Sequence, residues 1–459
     1  MQNNKILIKN GYIVTDTQTT KGDIFIENHI IAHIAPSIQQ NDALIIDAQG
    51  QYITPGGIDP HVHLALNTPL GNTCDNFFEG SLAALAGGTT TLIDFVTPER
   101  NESLIEALRK RKNEAESSII DYALHGSITS WHSNTSEEMQ EYAEKEGISS
   151  FKVYMAYGKT IGISDENLNN TLNAAKKLGL LILSHCEDGN TIDSLRDDAF
   201  KKGFHSASYH SLTRPPETET TAVAKLIQMA QAIDTPVYIV HVSAKESLKL
   251  IAEAKRKNRL IFAETCPHYL FFTDDVYKIK INPATYIMSP PLRKKADKTL
   301  LWKSLQNNTI DVVSTDHCSF SLADKISKNS FINVPNGVAG IETRLGLLFT
   351  YGVLPQLFSV NQFVALTSTN PAKLFGLYPQ KGTISVGTDA DLVIWENKNI
   401  LIKNQWLHHK SDHSIYQGIK LKIKPQTVIV NGILAYHKGL LYTDKLKGRY
   451  LKRGKMMSV

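Results

Sequence analysis

The chain has 459 residues, 42% of them apolar and 20% charged, and a formal net charge of +4. That length favours one large domain beside a smaller one, and the composition is ordinary for a globular protein. Basic residues are scattered apart from Arg109–Lys112 and the tail Lys445–Lys455, which read as solvated surface, so no nucleic-acid partner is expected.

The opening MQNNKILIKNGYIV lacks a charged stretch followed by a long apolar one, so no secretory signal is expected. No apolar run further on reaches about 18 residues, so no membrane span is expected either. KILIKNGYIVT, GDIFIENHIIAHIA and ALIIDAQGQYI alternate with period two and read as short strands. The same texture returns near the C-terminus in GTISVGTDADLVIWE and QTVIVNGILAYHKG. Between them lie eight strand-like runs: Tyr52–His63, Thr89–Phe95, Ile120–Ile128, Ser150–Tyr157, Leu180–Glu187, Pro236–Ser243, Leu260–Cys266 and Ile310–Cys318. Amphipathic stretches such as SLIEALRKRKNEAE and AKESLKLIAEAKRK separate them, which predicts a (β/α)8 barrel. The expected division is a β-sandwich domain built from 1–54 and 377–459, packed beside a barrel over 55–376. Thr191–Pro216 and Lys325–Gly340 exceed ordinary loop length and are candidate walls of a site. The four cysteines include no CxxC pair, and a chain this large needs no staples, so reduced thiols in a cytoplasmic protein are expected.

The ends of these runs carry metal-ligand chemistry. His61 and His63 are two apart, so a strand points both the same way, and Asp59 is in phase with them. His185 and His241 each close an apolar run, and Asp316 follows VVST, where a buried carboxylate needs a cation or strong donors. A parallel barrel gathers such strand ends at one mouth. Alone, His185 or His241 would more often be a core histidine held by a backbone carbonyl, and His61 with His63 a hydrogen-bonded pair at a strand end; together they predict two metal ions. Lys152 lies inside the apolar run FKVYMAY, where an ammonium is expensive. A salt-bridged lysine, a Schiff-base lysine and a lysine carbamate all fit that position. Neutral histidines and one aspartate supply one negative charge against two dications. A carbamate on Lys152 adds a second, with one oxygen for each metal, and a hydroxide adds a third.

The stretches GGIDPHVHL, FFEGSLAALAGGTTTLIDF, FKVYMAY, IVHVSA, ETCPHYL, MSPPLR, STDHCSF and VPNGVAGIETRL resemble the dihydropyrimidinase and D-hydantoinase family of cyclic amidohydrolases, as does the ending GRYLKRGK. The resemblance spans essentially the whole chain. It implies that His61, His63 and Asp316 hold one zinc and His185 and His241 the other, with carboxylated Lys152 bridging both. It implies Tyr157 as the donor to the developing oxyanion, and Ser289 and Asn336 as contacts to the cyclic imide or ureide edge. Asp316 would move the proton during hydrolytic opening of a dihydropyrimidine or hydantoin ring, and the enzyme would be a cytoplasmic homotetramer.

Three other readings compete. Dihydroorotase needs an arginine just after HxH, where this chain has Leu64, Ala65 and Leu66. Allantoinase shares HxH, the lysine strand and CPHYL and ranks second. A non-catalytic scaffold of the same family would lack several of the six metal-ligand residues, all present here. Asn67–Asn72 replaces a more aromatic or methionine-rich lid, and the region around Lys325–Asn333 varies within the family, so ring-substituent preference is expected to reside there.

Overall fold

A computed structural model of the chain describes residues 5–100, 102–257 and 260–459. The first four residues of the opening stretch, read above for a targeting signal, lie outside the described residues. Sequence from both ends of the chain meets in one nine-stranded mixed sheet. Lys5–Val14 pairs antiparallel with Thr19–Glu27 and parallel with Tyr52–Pro55. Tyr52–Pro55 in turn pairs antiparallel with Leu392–Leu401, which leads to Lys420–Val430 and Ile433–His437. The period-two pattern places Ile6 with Ile8, Ile24 with Ile26, and Leu392 with Ile394 in one buried cluster.

Eight parallel strands form a separate, nearly closed barrel. They are β1 (Gly57–Val62), β2 (Thr89–Val96), β3 (Asp121–Ser127), β4 (Ser150–Tyr154), β5 (Leu181–His185), β6 (Val237–Ile239), β7 (Ile261–Thr265) and β8 (Val312–Val313). They hydrogen-bond in chain order. A bridge between Val62 and His317, with the His63 N–H donated to the His317 carbonyl at 2.8 Å, joins the last strand end to the first. Ile58, Ile93, Leu181, Tyr238 and Phe262 fill the interior. Capped helices surround it. Asp165–Leu178, for example, starts on Ser164, whose hydroxyl accepts from the Asn167 N–H, and stops at left-handed Gly179.

The tail closes the end away from the strand C-termini. The Leu451 N–H is donated to the Tyr122 carbonyl near the start of β3, and Leu451 packs with Phe375 and Leu377 beneath the barrel. Arg453 donates to the Leu124 carbonyl at 2.6 Å and to Ser150 Oγ at 2.8 Å.

The expected strand Tyr52–His63 is two strands. Tyr52–Pro55 belongs to the terminal sheet and β1 to the barrel, and the chain switches between them at Gly56. A Cβ at Gly56 would stand 2.1 Å from Thr90 Oγ1, so only glycine lets the two layers approach there. The expected runs Pro236–Ser243 and Ile310–Cys318 shrink to Val237–Ile239 and Val312–Val313. Beyond those points the backbone leaves the ladder, with φ of 40° at His241 and 48° at Asp316, as it does beyond β4 with φ of 63° at Tyr157. Thr191–Pro216, read as a long loop, holds most of helix Gly189–Lys201 and all of Ser208–Leu212.

Candidate active site

His61 is the penultimate residue of β1 and His63 follows its end. His61 is fully buried, and its Nδ1 donates to Glu264 near the end of β7. Its Nε2 lies 3.1 Å from Asp316 Oδ1, with His63 Nε2 at 3.2 Å from the same oxygen. The three ligand atoms lie within 4.8 Å of one another. Asp59 supports this group from below. It accepts from the Thr315 N–H at 3.1 Å and from Thr315 Oγ1 at 2.6 Å, immediately before Asp316.

Lys152, on β4, points its Nζ to within 2.8 Å of His61 Nε2 and lies over the Phe95 ring at 4.2 Å. Among the described residues no carboxylate forms an ion pair with it, so the salt-bridge reading of the sequence has no partner. Burial pushes its pKa down to about 8, against Asp316 and Glu264, which raise it. His185, the last residue of β5, sits with Nδ1 2.9 Å from His241 Nε2. Its other nitrogen donates to Glu187 at 2.9 Å, and Arg214 holds Glu187 in turn. Burial alone would raise the pKa of Glu187, but Arg214 and His185 bring it down to about 2.

The donor set fits divalent cations. Two imidazole nitrogens and a carboxylate oxygen converge at His61, His63 and Asp316, and His185 Nδ1 faces His241 Nε2 at 2.9 Å, a nitrogen and oxygen set of the kind that binds zinc. Glu264 and Glu187 orient the histidines as carboxylates commonly do behind metal-binding imidazoles. Burial lowers the pKa of His63 to about 4 and lowers those of His185 and His241, leaving these rings neutral as ligands must be. Burial raises the carboxyl of Asp316, yet His61 and His63 hold it well below the usual carboxylate range.

His63, Lys152, His185, His241 and Asp316 line a cleft of about 470 Å³, with His61 buried behind them. Tyr157, Ser289 and Asn336 all line it, together with the hairpin formed by Asn67–Thr68 and Gly71–Asn72. The Tyr157 ring lies 5.1 Å from that of His185 and carries the Arg214 guanidinium at 5.5 Å. Ser289 adjoins Tyr157, and its buried Oγ has no protein partner of normal hydrogen-bond geometry. A larger cleft of about 960 Å³ runs past Met155, Gly162 and Asp188; it holds none of the residues singled out in the sequence.

Four residues escape the sequence reading. Glu264, Glu187 and Arg214 sit in or beside recognisable stretches, but nothing local says which histidine each one touches. Lys325 falls in a segment read only as a wall. Its Nζ is fully buried and donates at 2.7 Å to the carbonyls of Ile287 and Pro335, the supports of Ser289 and Asn336. The Gly337 N–H bonds the same Ile287 carbonyl at 3.1 Å.

A family model described as the amidohydrolase family matches residues 52–434. The chain is 40% identical over 457 residues to the D-hydantoinase of Geobacillus stearothermophilus, covering 98% of this chain and 96% of that one. It is 34% identical over 458 residues to the dihydropyrimidinase of Arabidopsis thaliana, covering 98% and 85%. The crystal structure of a dihydropyrimidinase from Brevibacillus agri superposes with a TM-score of 0.96 at 37% identity, covering 99% of this chain and all of that one. An L-hydantoinase from Arthrobacter aurescens superposes at 0.89 with 26% identity over 98% of this chain.

Proposed function

Since the chain belongs to the amidohydrolase family and aligns end to end with proteins named D-hydantoinase and dihydropyrimidinase, we propose that it hydrolytically opens hydantoin or dihydropyrimidine rings to N-carbamoyl amino acids. The observation that carries this reading is the convergence of His63, Lys152, His185, His241 and Asp316 on one cleft, with His61 buried against Lys152 and Asp316 behind them. The names of the relatives do not favour allantoinase.

Two zinc ions are the proposed cofactors, one held by His61, His63 and Asp316, the other by His185 and His241, with Lys152 carboxylated between them. Such ions lower the pKa of water from about 15.7 to near 7 and polarise a carbonyl. The rest of the chemistry belongs to the side chains. Ser289 and Asn336 seat the flat imide or ureide edge. Asp316 takes a proton as water attacks the ring carbonyl and returns it to the nitrogen as the C–N bond breaks. The Tyr157 hydroxyl donates to the carbonyl oxygen as it becomes negative. The Tyr157 phenol suits that role because burial raises its pKa and keeps the proton in place.

A ring-opening panel of dihydrouracil, hydantoin, allantoin and dihydroorotate tests the reading, and preferential opening of allantoin or dihydroorotate would reject it. Lys152→Ala is expected to lose both activity and bound zinc, with partial rescue by an added short carboxylate; full zinc occupancy in that variant would refute the carbamate. No helix among the described residues is long and apolar enough to cross a membrane, and all four cysteines are unpaired. The proposed setting is a homotetramer in the cytoplasm, and light scattering on the purified protein checks the assembly.

A further inference from the structure

The cleft has one cation that the ring-opening chemistry leaves unused. Arg196, on helix Gly189–Lys201, lines the same cleft as Tyr157 and Asn336. Its guanidinium offers five N–H donors. The structure gives it one bond, from Nη2 to the Ile332 carbonyl at 3.3 Å. Among the described residues no carboxylate forms an ion pair with it. The neighbouring arginines differ. Arg214 is tied to Glu187, and Arg293 bonds Ser243 Oγ at 3.0 Å and Glu219 at 3.3 Å. Leu66, Pro69, Leu70, Ile161 and Phe320 supply apolar lining to the cleft. Two carboxylates line the same cleft: Asp316, taken up in the group with His61 and His63, and Glu99, which is exposed, where solvent screens it.

We propose that Arg196 forms an anion subsite for a carboxylate carried on the ring substituent, so that favoured substrates are hydantoins with an acidic side chain at position 5. This rests on the ring-opening reading above and names the substrate class within it. A planar guanidinium takes a carboxylate in two parallel bonds, which a half-buried and underbonded arginine rewards more than an exposed one. Burial, and then the nearby Arg214, pull the pKa of Arg196 down against Asp193, Tyr157 and Asp197, which raise it. Hydrolysis of such a ring adds water across the carbonyl C–N bond and gives an N-carbamoyl amino acid with two carboxylates.

The test compares hydantoin-5-propionic acid with hydantoin-5-propionamide, equal in size and different in charge, by calorimetry on the zinc-loaded protein and by ring opening. The wild type is expected to favour the acid about ten-fold, the worth of one charged hydrogen-bonded contact. Arg196→Met is expected to bring the acid-to-amide ratio close to one while still binding the amide. Glu99→Gln is expected to raise the ratio. Equal affinity for acid and amide in the wild type, or a ratio preserved in Arg196→Met, overturns the subsite. A wild type that binds the acid selectively but opens no hydantoin leaves the subsite standing and sinks the ring-opening reading instead.

Discussion

Glu264 decides which nitrogen of His61 faces the cleft, because its carboxylate takes the Nδ1 proton. Glu264→Gln keeps the shape and loses the charge. It is expected to weaken zinc binding about 10–100-fold in chelator competition, and unaltered affinity would remove Glu264 from this role. Tyr157→Phe deletes one donor and nothing else, so kcat should fall about a hundred-fold with zinc content intact. A kcat within two-fold of wild type counts against the oxyanion assignment. The histidines and Asp316 were legible in the sequence because each closes an apolar run, and His61 and His63 also share a face by spacing. Glu264 was not, since its partner lies 203 positions away and only the barrel brings the two together.

The segments that carry Ser289 and Asn336, the proposed substrate contacts, are two loops rather than two strands, and Lys325 ties them. Its amine fits the two carbonyls of Ile287 and Pro335 with one N–H each, and burial lowers its pKa to about 7. Lys325→Met is expected to reduce kcat/KM about ten-fold or more through KM, since the Ser289 and Asn336 segments lose their common anchor. A loss confined to thermal stability would make the residue merely structural. The pH dependence has a definite sign. With a folded pKa near 7 against the ordinary lysine value of 10.5, the unfolded chain binds more protons across that interval. Wild type should therefore gain thermal stability relative to Lys325→Met as the pH rises from about 7 to 9, and a gain in the other direction contradicts the neutral amine. The reading of apolar runs located the barrel strands but overstated their ends. It cannot register the left-handed residues at His241 and Asp316, where the chain stops pairing and turns its side chains into the mouth.

Across the whole molecule the ending GRYLKRGK was recognisable as a string, while its place beneath the barrel was not. It works through contacts with residues more than three hundred positions earlier. Leu451→Ala removes a buried side chain from that end and should cost about 2–4 kcal/mol, read as a lowered unfolding temperature with kcat preserved. At the opposite end, the backbone pairing of β1 with the chain beyond β8 is confined, among the described residues, to Val62, His63 and His317, with Thr315 bonded to the Asp59 carboxylate beside it. This short seam closes the ring between His63 and Asp316, one on each lip. An ion gripped by both would act as a clasp on the tertiary structure as well as a reagent. Stripping zinc should therefore speed amide hydrogen exchange at His63 and its neighbours before it reaches the far strands. Uniform exchange around the ring would mean that the clasp carries no mechanical load.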